Sequence, residues 1–225
     1  MNLTSEQVAS IKPITEETSA ELKAVKSAGA QYLSFRGPPA QGQYAKKINL
    51  GYRSTENEWL FLGADDIKFH RGWAERAIAL AKDRYHVIST NDKANYFVRQ
   101  GLLATHSLVR RSYVDDPGCS LDGPGVIYHE GYQHNFVDVE MSVLARQRGI
   151  FFYSQGSVVE HLHPLFKKGE HDRTYELGLA DFAQDRALFV ERCAAYSKDP
   201  LAQRFIRATR APSGPVRRGR RWVSQ

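Results

Sequence analysis

The feature that most constrains the fold is a short apolar run that is followed at once by two acidic residues. Trp59–Leu62 holds four consecutive apolar residues, and Gly63-Ala64-Asp65-Asp66 comes directly after it. A continuous apolar run of this length is typical of a parallel strand that is buried on both faces. Helices must then cover both faces of the sheet, so this segment predicts a layered α/β domain.

The rest of the chain alternates between strand and helix patterns. Further strands are predicted at Gln7–Ile14, Gln31–Phe35, Tyr85–Thr90, Leu102–Val109, Ile150–Tyr153 and Ser157–Glu160. Helices are predicted at Thr15–Gly29, Tyr44–Thr55, Trp73–Lys82, Val137–Arg148 and Tyr175–Tyr196. This alternation favours a mostly parallel central sheet flanked by helices.

The positive charge of the chain is confined to its C-terminal end. From Arg204 onward there are seven arginines and no acidic residue, whereas the first 203 residues carry 24 basic and 25 acidic groups. We therefore expect a single domain over residues 1–203 and a flexible Arg-rich tail over 204–225. The tail either attracts an acidic partner such as nucleic acid or only adds solubility, and the domain itself is not a basic DNA-binding module.

Composition also restricts the compartment. No apolar run approaches the roughly 20 residues of a membrane span, and the N-terminus lacks the pattern of a signal peptide. Cys119 and Cys193 form neither a disulfide framework nor a zinc-ligand spacing. We expect a cytoplasmic protein with reduced thiols and no membrane span.

Asp65 and Asp66 are the first candidates for chemistry. In open α/β sheets, ligands bind outside the carboxyl ends of the strands, where this acidic pair is predicted to lie. Adjacent carboxylates repel unless a cation neutralises them, and oxygen ligands suit Mg²⁺ or Mn²⁺. The alternative is a solvated turn that caps a helix.

His161 and His163 are the second candidates. Two histidines at positions i and i+2 of an extended segment point to the same side, so they are able to supply one or two metal ligands. The alternative is an ordinary polar pair beside a loop.

Two further groups lie on predicted helices. Asp138 and Glu140 stand at a helix N-terminus, where the dipole is expected to lower the pKa of a carboxyl and keep it ionised as a base, unless it is simply a cap. Lys47 and Asn49 are placed on one helix, where they suit a phosphate and a sugar hydroxyl, or else form a solvated basic face.

Four blocks occur in a fixed order: A-K-K-I-N-L-G, then E-W-L-F-L-G-A-D-D-I-x-F-x-x-G-W, then H-N-F-V-D-V-E-M-x-x-L-A-R-x-x-G, then V-E-H-L-H-P. Together with the α/β alternation they resemble the GT-A glycosyltransferases of family 2, above all the short members found in bacteriophages. The resemblance covers Thr15–Phe189. It implies a GT-A fold and a metal-dependent hexosyltransferase, inverting in mechanism, that moves a sugar from a nucleotide-sugar donor to an acceptor hydroxyl.

The resemblance also implies residue roles. The ligands of a Mn²⁺ or Mg²⁺ ion would be Asp66 and a later histidine, with His163 preferred over His161. Asp138 matches the carboxylate that deprotonates the acceptor. The loop at Asp115–Gly125 is expected to close over the donor. The implied donor contacts are Lys47, Asn49 and Asp65.

Two departures from the family raise alternatives. Relatives usually open with an additional βα unit that helps bind the nucleotide base, whereas Gln7–Ile14 leads straight into what resembles the second unit. Gly63 stands where many relatives have another acid. The chain is then truncated, degenerate, or completed by a second polypeptide.

Other functions are therefore kept open. One is a catalytically inactive GT-A-like domain that serves in binding or assembly, and a less favoured one is a metal-dependent hydrolase. The acceptor is a protein, DNA or a glycan, and the compartment would be the host cytoplasm if the chain is viral.

Overall fold

The computed structural model describes residues 8–11, 33, 43–81, 85–169 and 173–207. Its strands are β1 (Val8–Ile11), β2 (Trp59–Leu62), β3 (Ile67–Phe69), β4 (Val87–Asn91), β5 (Ser107–Arg110) and β6 (Phe151–His161). Its helices are α1 (Tyr44–Arg53), α2 (Trp73–Ala81), α3 (Tyr96–Arg99), α4 (Arg111–Asp115), α5 (Val137–Gln147), α6 (Arg173–Arg192) and α7 (Pro200–Arg207). Single 3₁₀ turns occur at Pro164–Phe166 and Ala194–Tyr196.

The strands form one mixed sheet in the order β1-β2-β5-β4-β6-β3. β1 is parallel to β2 and β4 is parallel to β6, whereas β5 is antiparallel to both β2 and β4, and β3 is antiparallel to β6. The predicted α/β architecture is confirmed, but the sheet is not mostly parallel. The reason is the connection between β4 and β5, whose only helix is the four-residue α3. The chain therefore turns back at the same edge instead of crossing a face, and β5 must run antiparallel.

β2 is buried on both faces, as its apolar run predicts. Each of its four side chains is at most 2% exposed. Leu60 and Leu62 belong to a large core that includes residues of α1, α5, α6 and α7, whereas Trp59 and Phe61 belong to a smaller core that includes residues of α2. The sheet is thus covered by helices on both faces.

β6 is one strand with an irregularity in its middle, where two short strands are predicted. The register moves from Thr90↔Ser154 to Asn91↔Val158, so β6 contains three residues that have no counterpart on β4. The buried positions change there from Ser154 to the odd-numbered Ser157, Val159 and His161. The break in the sequence pattern is therefore a bulge that carries the end of β6 over to β3.

The described elements match most predicted segments, with shifts at their ends. Only the last part of the predicted strand at Leu102–Val109 forms β5. The helix α7 is absent from the predictions and extends to Arg207, and its side chains Leu201, Ala202 and Ile206 are buried. The segments predicted at Thr15–Gly29 and Gln31–Phe35, and the chain after residue 207, lie outside the described residues. Within the described ranges, the helices lack the length and apolarity that crossing a membrane needs.

A buried ionic network fixes the Gly- and Pro-rich segment before α5. Glu140 is 1% exposed and accepts hydrogen bonds from the Leu121 backbone N–H at 3.1 Å and from the Tyr132 hydroxyl at 2.8 Å. The Arg192 guanidinium, at the end of α6, donates to both Glu140 oxygens at 2.8 Å and to Asp122 at 3.1 Å. These bonds join α5, α6 and the loop into one unit.

The loop at Asp115–Gly125, which is expected to close over a ligand, is held by several hydrogen bonds in this structure. Besides the bonds of Leu121 and Asp122, the Gly118 carbonyl accepts a hydrogen bond from Arg148 at 2.6 Å. A closing loop would have to break charge-assisted bonds, which are about twice as strong as neutral ones.

Candidate active site

The acidic pair lies where two parallel strands end. β1 pairs with β2 through Ile11↔Leu62, so both strands reach the same edge of the sheet just before Gly63-Ala64-Asp65-Asp66. The carboxyl ends of the strands are the usual place for ligands in an open α/β sheet. A strand that directly neighbours β2 is thus present near the N-terminus. The structure does not test whether residues 12–42 complete a βα unit there, because nearly all of them lie outside its described ranges.

Gly63 is required by packing rather than by a turn. A Cβ atom at this position would lie 2.5 Å from Cε1 of Phe61 and 3.1 Å from Cδ1 of Ile67. The Phe61 ring is fully buried and packs against Trp73, with ring centroids 4.7 Å apart, so it has little room to move. This packing excludes a third acid immediately before Ala64.

We expect Gly63→Asp to destabilise the protein by about 1–3 kcal/mol, the usual cost of overpacking a core. The added side chain must displace Phe61 or move β2. Urea unfolding measures the change, and Ala64→Ser at the neighbouring half-buried position should have a much smaller effect. Equal stability of Gly63→Asp and the natural chain would show that the Phe61 ring moves at little cost.

Asp66 is held against the end of β6. Its Oδ2 lies 3.1 Å from Nε2 of His161, and its backbone carbonyl accepts a hydrogen bond from the N–H of Leu162 at 2.8 Å. The ring of His106 packs edge-on against His161 with centroids 4.6 Å apart, and burial lowers the pKa of His106 to about 3. The neutral, buried imidazole of His106 thus packs against the ring of His161.

His163 lies near His161 but has a different hydrogen-bond partner. The two ring centroids are 5.0 Å apart, although β6 ends at His161 and His163 stands beyond the strand. Nδ1 of His163 accepts the backbone N–H of Leu165 at 3.1 Å, which caps the following 3₁₀ turn. In a neutral imidazole the other nitrogen then carries the proton, and Nε2 of His161 must likewise carry one to donate to the Asp66 carboxylate. His161 is in direct contact with Asp66, whereas the sequence-based preference is for His163, and the choice between them stays a prediction.

Asp138 lies in the first turn of α5, two residues after a residue in a strained backbone conformation. Phe136 is in the left-handed region with φ 68°, and Oδ1 of Asp138 accepts the N–H of Val139 at 2.9 Å. Burial raises the pKa of Asp138 to about 6, while the Val139 N–H and the charge of His161 act in the opposite direction. The prediction of a lowered pKa is therefore wrong, because the effect of burial on this carboxyl is larger than the effect of the helix dipole.

Tyr44 lies near the carboxylates of Asp65, Asp66 and Asp138. It is not among the candidates from the sequence. Its hydroxyl donates to the Gly63 carbonyl at 3.3 Å, and burial together with the negative charges of Asp138, Asp65 and Asp66 raises its pKa. Tyr44 directly precedes the A-K-K-I-N-L-G block, which was the available indication of its position. Asp65, Asp66 and Asp138 are thus all close enough to Tyr44 for their charges to act on its hydroxyl.

The residues expected to bind a donor are placed differently from one another. Asp65 is exposed beside Asp66, and Lys47 is half-buried on α1. Asn49 is 1% exposed, and its side-chain amide makes four hydrogen bonds of 2.9–3.2 Å, to the backbone of Ile127 and Tyr128 and to Glu130. Asn49 therefore holds the segment at 127–130, and a sugar contact would require breaking those bonds.

The donor set fits a divalent ion only in part. Asp66 offers a carboxylate oxygen and His161 an imidazole nitrogen, both suitable for Mn²⁺. In the described part of the chain, no group of three or more His, Cys, Asp or Glu side chains is placed to hold a metal. Ions of this kind commonly complete their shell with water and substrate phosphates, so two protein ligands are compatible with a shared site.

Sequence comparisons give no relative, whereas structural comparisons do. No family model and no curated protein matches the chain. Glucosyl-3-phosphoglycerate synthase of Mycobacterium tuberculosis with phosphoglyceric acid aligns with a TM-score of 0.52 at 12% identity, over 80% of this chain and 66% of that one. The same enzyme with Mn²⁺, uridine diphosphate and glucosyl-3-phosphoglycerate aligns with a TM-score of 0.51 at 13% identity, over 80% of this chain and 66% of that one. Its structure with Mg²⁺ and uridine diphosphate aligns with a TM-score of 0.50 at 13% identity, over 83% of this chain and 68% of that one.

These matches show that the chain has the GT-A fold that the resemblance implies. The chain spans just under two thirds of the length of the first two matched structures. None of the three comes from a bacteriophage, so that part of the resemblance stays a prediction. Nothing in the comparisons supports a second polypeptide that would complete the nucleotide pocket.

Proposed function

We propose that this protein is a metal-dependent glycosyltransferase that moves a sugar from a nucleotide-sugar donor to an acceptor hydroxyl. The observation that carries the proposal is the contact of Asp66 with His161 at the carboxyl edge of a GT-A sheet. A carboxylate and an imidazole brought together from distant segments suit an ion shared with a diphosphate. The charges of Asp66 and Asp138 both act on Tyr44, so we place all three residues at this site.

Asp66 and His161 would hold Mn²⁺ or Mg²⁺, with His163 as the alternative ligand. When bound, such an ion stabilises the negative charge that gathers on the departing nucleoside diphosphate. Lys47 and Asp65 are the remaining candidates for contacts with the donor. Uridine diphosphate sugars are the first donors to test, because the matched mycobacterial enzyme was solved with uridine diphosphate.

Asp138 would act as the base that removes the proton from the acceptor hydroxyl. A carboxyl whose pKa lies at about 6 is largely ionised at neutral pH, and it is a stronger base than an ordinary aspartate. Attack by the hydroxyl on the face opposite the leaving group inverts the anomeric centre. We therefore propose an inverting hexosyltransferase that acts in the cytoplasm. The boundary expected between residues 203 and 204 falls inside α7, which buries Ile206, so we propose a single domain that extends to Arg207 and an Arg-rich tail after it.

Thermal-shift measurements with UDP, GDP, CDP and dTDP sugars test the donor site. We expect one nucleotide class to raise the melting temperature only when Mn²⁺ or Mg²⁺ is present. At a ligand concentration of 100 times Kd the gain is about 2.7 kcal/mol, or roughly 5–10 °C for a chain of this size. Asp66→Asn should lose this shift, and Glu75→Gln, a change of the same kind at an exposed site on α2, should keep it.

Two outcomes would contradict parts of this proposal. If no nucleotide sugar stabilises the protein with either metal, the donor site is absent. If a nucleotide binds but none of its sugars is ever transferred or hydrolysed, the chain is an inactive GT-A domain that serves in binding or assembly. Release of sugar phosphates without any acceptor would instead favour a hydrolase.

A further inference from the structure

A buried carboxylate on α6 binds the segment that leads into the candidate base. Asp185 is fully buried, and its two oxygens accept hydrogen bonds from three consecutive backbone N–H groups. These come from Gln133 at 2.7 Å, His134 at 2.9 Å and Asn135 at 2.7 Å. The Asn135 side-chain amide donates to the Gly178 carbonyl at 2.8 Å and lies 3.3 Å from Asp185. One side chain therefore holds three consecutive positions of this loop.

The next residue of this segment is held in a strained backbone conformation. Phe136 adopts a φ of 68°, in the left-handed region that residues other than glycine rarely occupy. Its ring packs against Phe189 of α6 and Phe205 of α7, with centroids 5.3 Å and 4.9 Å away. Such strain persists only where the surroundings enforce it, and here they do so from α6 and α7.

Asp138 stands two residues beyond Phe136, so its position depends on this conformation. The Val139 N–H that it binds belongs to the same first turn of α5. If the three N–H groups before Phe136 lost their acceptor, the segment would relax and the start of α5 would move with it. α6 itself contributes no residue to the contact of Asp66 with His161.

We propose that Asp185 is a positioning residue for Asp138, acting through the backbone of residues 133–136. This inference rests on the proposed function for its catalytic consequence, but not for its structural part. Asp185 fixes where the Asp138 carboxylate lies relative to Asp66 and His161. Among the described residues of α6, Asp185 acts on the site through this backbone segment.

The test compares the full chain with Asp185→Asn by amide hydrogen exchange and by turnover. Exchange at the Val139 amide should become about tenfold faster or more, because losing a charge-assisted hydrogen bond makes local opening that much easier. Exchange at the core amides of β2 and β5 should change far less. With an active donor, kcat should fall roughly 100-fold, as expected for a base displaced by about 1 Å, while the donor KM stays within about twofold. Glu191→Gln, an exposed change on the same helix, is the control and should alter neither.

A second variant keeps the test decisive if Asp185→Asn does not fold. Asn135→Ala leaves the Asp185 carboxylate with its three backbone partners and should give the same pattern at smaller amplitude. Faster exchange confined to residues 133–135, with Val139 unchanged, would overturn the inference. If the natural chain releases no nucleotide from any donor, the proposed function fails, and exchange at Val139 still decides the positioning role.

Discussion

Glu140→Ala is expected to lower the free energy of unfolding by about 3–5 kcal/mol, the typical cost of removing one partner of a buried ion pair. Arg192 would keep only Asp122 as a charged partner, and the Tyr132 hydroxyl and the Leu121 N–H would each lose an acceptor. For a chain of this length the melting temperature should fall by roughly 10 °C. Urea and thermal unfolding of the purified variant measure both quantities.

A double-mutant cycle separates the ionic contribution from simple loss of packing. Glu140→Leu combined with Arg192→Met removes both charges, so the double variant should be more stable than the sum of the two single changes predicts. Additive effects would show that the two side chains contribute independently. A loss below about 1 kcal/mol in Glu140→Ala would mean that the pair is as weak as a surface salt bridge.

Asp138→Asn is expected to have the largest effect on catalysis, a fall in kcat of about 10²–10⁴, the usual contribution of a general base. The amide that replaces the carboxylate has nearly the same shape and cannot take a proton. Donor binding should therefore persist, so the thermal shift with nucleotide and Mn²⁺ should be close to that of the natural chain. Initial rates at saturating donor measure the loss.

The pH profile gives the same prediction an independent check. Because burial raises the Asp138 pKa to about 6, the active ionised form is lost as the pH falls through that value. The kcat should rise with pH around 6 and level off above 7, and the residual activity of Asp138→Asn should lack this step. A step that survives in the variant would assign the titration to another group.

The parts of the fold that the sequence predicts well are those where local pattern and burial agree. Trp59–Leu62 is buried on both faces, so its apolar run specifies β2 without further information. The antiparallel direction of β5 follows from the short connection after β4, and the residues of β5 themselves do not indicate it. α7 was missed because its buried face is only three side chains embedded in an Arg-rich segment.

The site was predictable in its members more than in their roles. Asp66, His161 and His163 lie close together, but the direct contact of Asp66 with His161 depends on how the end of β6 is folded and is not visible in the sequence. The pKa of Asp138 depends on burial, which a helix terminus alone does not reveal, so the prediction from the sequence has the wrong direction. Asn49 was assigned to the donor because its partners at 127–130 are not visible in a helical spacing.

The irregularity in the middle of β6 has a consequence for how such chains change in length during evolution. Before it, the inward side chain is Ser154, and after it the inward ones are Ser157, Val159 and His161. The residues between Ser154 and Val158 have no counterpart on β4, whereas Val159, Glu160 and His161 are held in register by β3. A gain or loss of one residue within the bulge can therefore be absorbed there, while the same change after Val158 would turn His161 away from Asp66.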